Sequence, residues 1–168
     1  MGRLFFAVWP GAVASRELAL VAESLAELAG GRPTPREKIH MTLAFLGSLD
    51  ADGAGRAAGV AARVSGGAIR MTIDQVGSFR RARVGWAASS VANAELAGLQ
   101  ERLARELAGA GFALEDRAFM PHVTLARKIG KPVPRAPMPP VEWQSRAFTL
   151  VESTGRGGYE VLESWELR

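Results

Sequence analysis

The chain contains no cysteine, which removes a disulfide framework, a thiolate metal site and a cysteine nucleophile from consideration. It has only two histidines, His40 and His122, so chemistry that needs a side chain titrating near neutral pH falls to them. Lysine is scarce: Lys38, Lys128 and Lys131 are the full set, and the formal charge of +4 is carried almost wholly by arginine. Such an excess reflects either the base composition of the gene or an anionic partner whose phosphates the guanidinium matches in bidentate fashion, and net charge does not separate the two. Long apolar runs are missing as well. Residues 4–9 are too few to span a bilayer and stop at Pro10, so they read as a first strand and not as a signal peptide. The expectation is a cytoplasmic, monomeric protein with no membrane partner. There is no Gly-x-Ser-x-Gly elbow for serine hydrolysis and no Gly-x-x-x-x-Gly-Lys loop for nucleoside triphosphates.

What is present is a repeat. His40-Met41-Thr42-Leu43 returns as His122-Val123-Thr124-Leu125, using both histidines of the chain. Given one copy, meeting Thr and Leu at those offsets after the other histidine has a chance on the order of a few in a thousand. In each copy apolar residues alternate with the His and Thr, which is a strand period. An imidazole and a hydroxyl therefore share one face, about 7 Å apart along the backbone, while Met41, Leu43, Val123 and Leu125 anchor the other.

At 168 residues, 48% apolar and 23% charged, the chain is long and apolar enough for a real core. Residues 3–9 suit a buried strand. Leu18, Val21, Leu25 and Leu28 then recur at helical spacing over residues 13–29, closed by Gly30-Gly31. Residues 32–38 form an exposed loop leading to the first tetrad. An alanine-rich helix weakened by glycine is expected over 51–64, then strands around Ile69–Ile73 and Val84–Trp86, with residues 77–81 as the loop between them. Phe79 beside Arg80, Arg81 and Arg83 suggests either a nucleotide-stacking element or a solvated turn. Leu96, Leu99, Leu103 and Leu107 mark a helix over 91–109, and Phe112 and Leu114 begin a short extended piece. Five prolines make residues 131–140 a loop. Strands over 146–153 and 159–167 close the chain around a Gly155-Arg156-Gly157-Gly158 turn. The whole reads as an α+β protein: residues 1–168 as one domain of two pseudo-symmetric lobes, mainly antiparallel sheets lining a central cleft, helices outside.

Two imidazoles facing one substrate supply a base and an acid near pH 7. Phosphodiester displacement needs both, on opposite sides of phosphorus, and threonine hydroxyls can donate to the non-bridging oxygens. Two histidines with no carboxylate in either tetrad make a poor first shell for zinc.

These residues resemble the 2H phosphoesterases, and within them the RNA 2′,3′-cyclic phosphodiesterases historically called 2′-5′ RNA ligases. The resemblance rests on Arg3 to Ala7, His40 to Gly47, Gly111-Phe112, Pro121 to Arg127 and the closing Tyr159 to Leu167 stretch. It implies hydrolysis of a terminal 2′,3′-cyclic phosphate on RNA, or on a cyclic nucleotide, to a 2′-phosphomonoester without metal or cofactor. It makes His40 the proton donor and His122 the proton acceptor, with Thr42 and Thr124 holding the phosphate. Arg127 matches the Leu-Ala-Arg ending of the second motif and would stabilise phosphate, although strict alternation puts it on the face opposite His122. Met120 stands where relatives often carry a basic or polar residue. Reversible 2′-5′ ligation would use the same residues, and a module that binds RNA phosphate without turnover is the alternative outside enzymes.

Overall fold

In the computed structural model, which describes residues 2–168, the order is β1 (Gly2–Val8), α1 (Ala12–Ala29), β2 (Arg32–Pro33), a 3-10 turn (Arg36–Lys38), β3 (Met41–Leu49), α2 (Ala51–Ala61), β4 (Ile69–Phe79), β5 (Val84–Ala88), α3 (Ala94–Gly109), β6 (Val123–Arg127), β7 (Ala136–Ser145), β8 (Ala147–Ser153) and β9 (Tyr159–Glu166). The strands lie in the order β7-β4-β5-β6-β3-β1-β8-β9, with β2 added to β6, and the pairings are antiparallel. Read outward from the centre, one half runs β3-β1-β8-β9 and the other β6-β5-β4-β7. In each, the two innermost strands are joined through a long helix, α1 or α3. The halves touch through one residue pair, Met41 with Val123.

The helices interlock these halves. Although α1 leaves β1, it packs on β6 and β7 of the opposite half, and α3 packs against β3 and α2. Leu96, Leu99, Leu103 and Leu107 of α3 are all buried, as their spacing predicts, and the Asn93 side chain caps the helix by accepting from Leu96 N at 2.9 Å. The buried stripe of α1 departs from expectation. It consists of Ala14, Leu18, Ala22, Leu25, Ala26 and Ala29, while Leu28 stands exposed. Close packing explains the alanines: a Cβ on Gly85 of β5 would lie 2.8 Å from Leu25 Cδ2, so the helix rides almost on the strand backbone. Gly30 ends α1 in the left-handed region at φ 74°, its N–H donating to Ala26 O.

Two expectations fail. Residues 77–79 continue β4 as far as Phe79, and residues 136–140, expected as loop, belong to β7. The β7 strand is an edge and pairs only with β4. Its register jumps from Ile73–Val141 to Gln75–Pro137, so Pro139 and Pro140 fall in the irregularity. Edges and bulges are where a missing N–H costs a strand least. The 91–109 helix begins later, at Ala94, and α2 stops at Ala61.

Because α3 covers a strand of the other half, Leu103, fully buried, bears on the junction. Replacing Leu103 with Ala should lower unfolding free energy by about 2–5 kcal/mol, read by chemical denaturation.

Candidate active site

Met41 and Val123 point into the core beneath the helices, 1% and 0% exposed. Alternation puts His40 and Thr42, and likewise His122 and Thr124, on the open face. The antiparallel register through the Met41–Val123 pair sets His40 abreast of Thr124 and Thr42 abreast of His122. The four side chains therefore form a square about a local two-fold.

Both strands then break alternation at the same motif position. Between β1 and β3 the register passes from Ala7–Thr42 to Phe6–Ala44 and leaves Leu43 unpaired. Between β5 and β6 it passes from Trp86–Thr124 to Gly85–Ala126 and leaves Leu125 unpaired. Each tetrad leucine is a bulge. The second bulge overturns the expectation for Arg127, because it shifts the strand by one residue and returns Arg127 to the face of His122 and Thr124. Arg127 lines the same cavity as His40 and Thr124. The first bulge turns Phe45 the same way, against Phe5 at 6.1 Å between ring centroids.

Each imidazole is held alike. His40 Nδ1 lies 2.6 Å from Lys38 O, and His122 Nδ1 lies 2.7 Å from Met120 O, in both cases the carbonyl two residues back. A carbonyl only accepts, so Nδ1 carries the proton of the neutral ring and Nε2 is left as the basic nitrogen. Thr42 Oγ1 is 3.0 Å from His40 Nε2 and, with the ring neutral, donates to it. The Thr34 hydroxyl donates to Thr124 O at 2.9 Å, pinning the loop after β2 beside the second motif.

Aromatic rings enclose both histidines. Phe5 stacks on His40 at 5.0 Å, with Trp9 at 5.3 Å and Tyr159 at 5.5 Å. Phe79 meets His122 edge-on at 5.0 Å. Burial dominates the electrostatics: it disfavours the imidazolium and pulls His40 down from 6.5 to about 4, helped by the charges of Arg127 and His122 and opposed by the Lys38 carbonyl. His122 is lowered for the same leading reason, with Arg117 and Arg127 adding to it and the Met120 carbonyl opposing.

Two cavities flank the square. One, about 220 Å³, lies on the His40 side and is lined by Thr124, Arg127, Lys38, Lys128, Arg32 and Tyr159 among others. The other, about 200 Å³, lies on the His122 side among Phe79, Trp86, Phe119, Met120, Gln75 and Arg135. Gly77 makes room for that aromatic wall, since a Cβ there would strike the Trp86 ring. Phe79 thus belongs to the site, while Arg80 and Arg81 are exposed in the turn. Arg83 braces backbone, donating to Ile129 O and Lys128 O at 2.9 and 3.3 Å. Among the described residues no three histidine or carboxylate side chains come together, so the site offers a metal at most its two imidazoles.

The model of the 2′-5′ RNA ligase superfamily matches residues 13–156. The chain belongs to that superfamily. A relative in Escherichia coli (strain K12), RNA 2′,3′-cyclic phosphodiesterase, is 32% identical over 142 residues, 82% of this chain and 80% of the relative. A relative of the same name in Thermus thermophilus is 31% identical and spans 99% of this chain and 90% of its own. The crystal structure of E. coli LigT complexed with 3′-AMP superposes with a TM-score of 0.90 at 29% identity, covering 99% of this chain and 98% of that one.

Sequence reading of this superfamily member singled out the two histidines, the two threonines and Arg127, which the fold gathers, but not Arg32, Lys38 or Lys128 beside them. Lys38 and Lys128 are two of only three lysines, and each lies within four residues of a motif His or Thr. That clustering was the available signal. Arg32 carried none, and Tyr159 stood out only as the start of the closing stretch, because folding alone brings both to the cavity.

With two histidines, the titration is directly assignable by NMR. His40 should titrate near 4 and His122 also below 6.5. Arg127→Ala should move both midpoints upward, because it removes a positive neighbour; midpoints unmoved at 6.5 would refute this electrostatic account.

Proposed function

We propose that residues 1–168 act as a single two-lobed unit that hydrolyses the 2′,3′-cyclic phosphate at an RNA end, or in a cyclic nucleotide, to a 2′-phosphomonoester. The observation that carries the reading is the dyad-related pair of imidazoles, each tethered through Nδ1 to the carbonyl two residues back. Tethering fixes the ring and the tautomer, so Nε2 is the nitrogen that exchanges protons. Water attacks phosphorus in line with the departing O3′. His122 Nε2 takes the proton from that water as the new P–O bond forms. His40 Nε2 delivers its proton to O3′ as the P–O3′ bond breaks, leaving the phosphate on O2′. Thr42, Thr124 and Arg127 hold the non-bridging oxygens, where charge builds in the transition state. Both proton transfers are covered by imidazole, so no metal is required. The names of the E. coli and T. thermophilus relatives agree with this substrate class.

The test is turnover of a 2′,3′-cyclic nucleotide in the presence of a chelator. The 2′-nucleotide should accumulate, and His40→Ala or His122→Ala should each lower kcat by about 10²–10⁴-fold. A His40→Ala protein as active as the parent would refute the reading.

The pH dependence follows from the same burial. One imidazole must be protonated and the other neutral, and both are depressed in the unliganded protein. The competent form is therefore lost on the alkaline side, and kcat/KM should peak below the ordinary histidine value of 6.5. A bound phosphate anion favours both imidazolium forms, so kcat should peak at higher pH than kcat/KM. Profiles measured on one cyclic nucleotide check both statements, and a flat profile would contradict them.

A further inference from the structure

The cavity on the His40 side holds more positive charge than the reacting group can use. Arg32, Lys38, Arg127 and Lys128 converge on it, and no aspartate or glutamate lines it. None of the four is in a salt bridge among the described residues, where the ion pairs are Arg117–Glu115 and Arg168–Glu166. A cyclic phosphate is a diester with a single negative charge, which Arg127 and the dipoles of Thr42 and Thr124 already meet. Three further cations gathered without a counter-charge repel one another unless an anion joins them.

Their placement is built into the fold. Arg32 stands opposite Arg127 in the β2–β6 pair, so the two guanidinium stems leave neighbouring positions. Lys38 sits two residues before His40 and holds its ammonium 5.1 Å from the Tyr159 ring centre. Lys128 occupies the left-handed region at φ 55°, an unfavourable conformation for a residue with a Cβ. It is fastened there by Arg83, whose guanidinium takes the Lys128 and Ile129 carbonyls.

We propose that Arg32, Lys38 and Lys128 form a second phosphate subsite, which binds the phosphate on the 5′ oxygen of the nucleotide whose cyclic end is being opened. This rests on the cyclic phosphodiesterase reading above. A cyclic end is the 3′ terminus of its strand, so the nearest other phosphate lies on the 5′ side. That phosphate is a diester within a strand and a monoester in a free nucleotide, and the same cations serve either.

Three substrates separate the sources: adenosine 2′,3′-cyclic phosphate with a free 5′-hydroxyl, its 5′-phosphorylated form, and an adenylyl dinucleotide ending in the cyclic phosphate. At low salt, kcat/KM should be about 10- to 100-fold higher for both phosphate-bearing substrates than for the 5′-hydroxyl one, mainly through KM. In Arg32→Ala and Lys128→Ala proteins that ratio should fall toward one, and Lys128→Arg should restore it. A gain for the dinucleotide alone, unaffected by either variant, would mean contacts to the second nucleoside and would overturn the proposal. So would a ratio near one in the parent. If no substrate is turned over, the cyclic phosphodiesterase reading fails on its own. The subsite is then tested by titrating adenosine 2′-phosphate against adenosine 2′,5′-bisphosphate, where equal affinity in the parent overturns it. Circular dichroism of the variants confirms that they fold.

Discussion

The structure turns on one antiparallel residue pair. Met41 and Val123 join two four-stranded halves, and both imidazoles and both motif hydroxyls stand one residue to either side of that junction. Their side chains go down into the shared core, so the neighbours His40, Thr42, His122 and Thr124 must face the open side. Had the register slipped by one residue, the imidazoles would be buried under the helices and the apolar anchors exposed. The core protects the register, because α1 and α3 each cover strands of the half they did not come from. Separating the halves would uncover both helices at once.

Bulges at Leu43 and Leu125 add a second layer to this economy. Each leucine remains buried while dropping out of the ladder, which turns the strand beyond it by one position. The dyad is kept by the backbone and broken by the side chains: Phe45 stands two residues past one bulge and Arg127 two residues past the other. One half presents an aromatic surface around His40 while cations gather beside it, and the other presents an aromatic wall beside His122. A site symmetrical enough to place two imidazoles is thus asymmetrical enough to bind an asymmetrical substrate. The same enclosure that positions the imidazoles strips them of water, which is why both resist protonation before an anion arrives.

Much of this was legible as pattern. The repeated tetrad located the site, the leucine stripe located α3, and alternation assigned the His and Thr side chains to one face. The failures depended on strand pairing or on packing between elements, which pattern does not encode. Alternation misplaced Arg127 because the Leu125 bulge is a property of the β5–β6 pairing. Proline content misassigned residues 136–140 because an edge strand has a free side. In α1, Val21 and Leu28 looked like core, but the helix sits so near Gly85 that alanines suit the contact better.

By itself, then, the sequence determined which side chains could do acid–base work and which face of their strands they would share. Those are local consequences of composition and of a two-residue repeat. Only the tertiary structure decided that two motifs 82 residues apart would meet in register. It alone raised the Arg32, Lys128 and Tyr159 side chains to the rim of one cavity and withdrew both imidazoles from water. The physical reason is that proximity, charge density and desolvation are properties of a surface assembled from distant segments, and the chain acquires them only when its core forms.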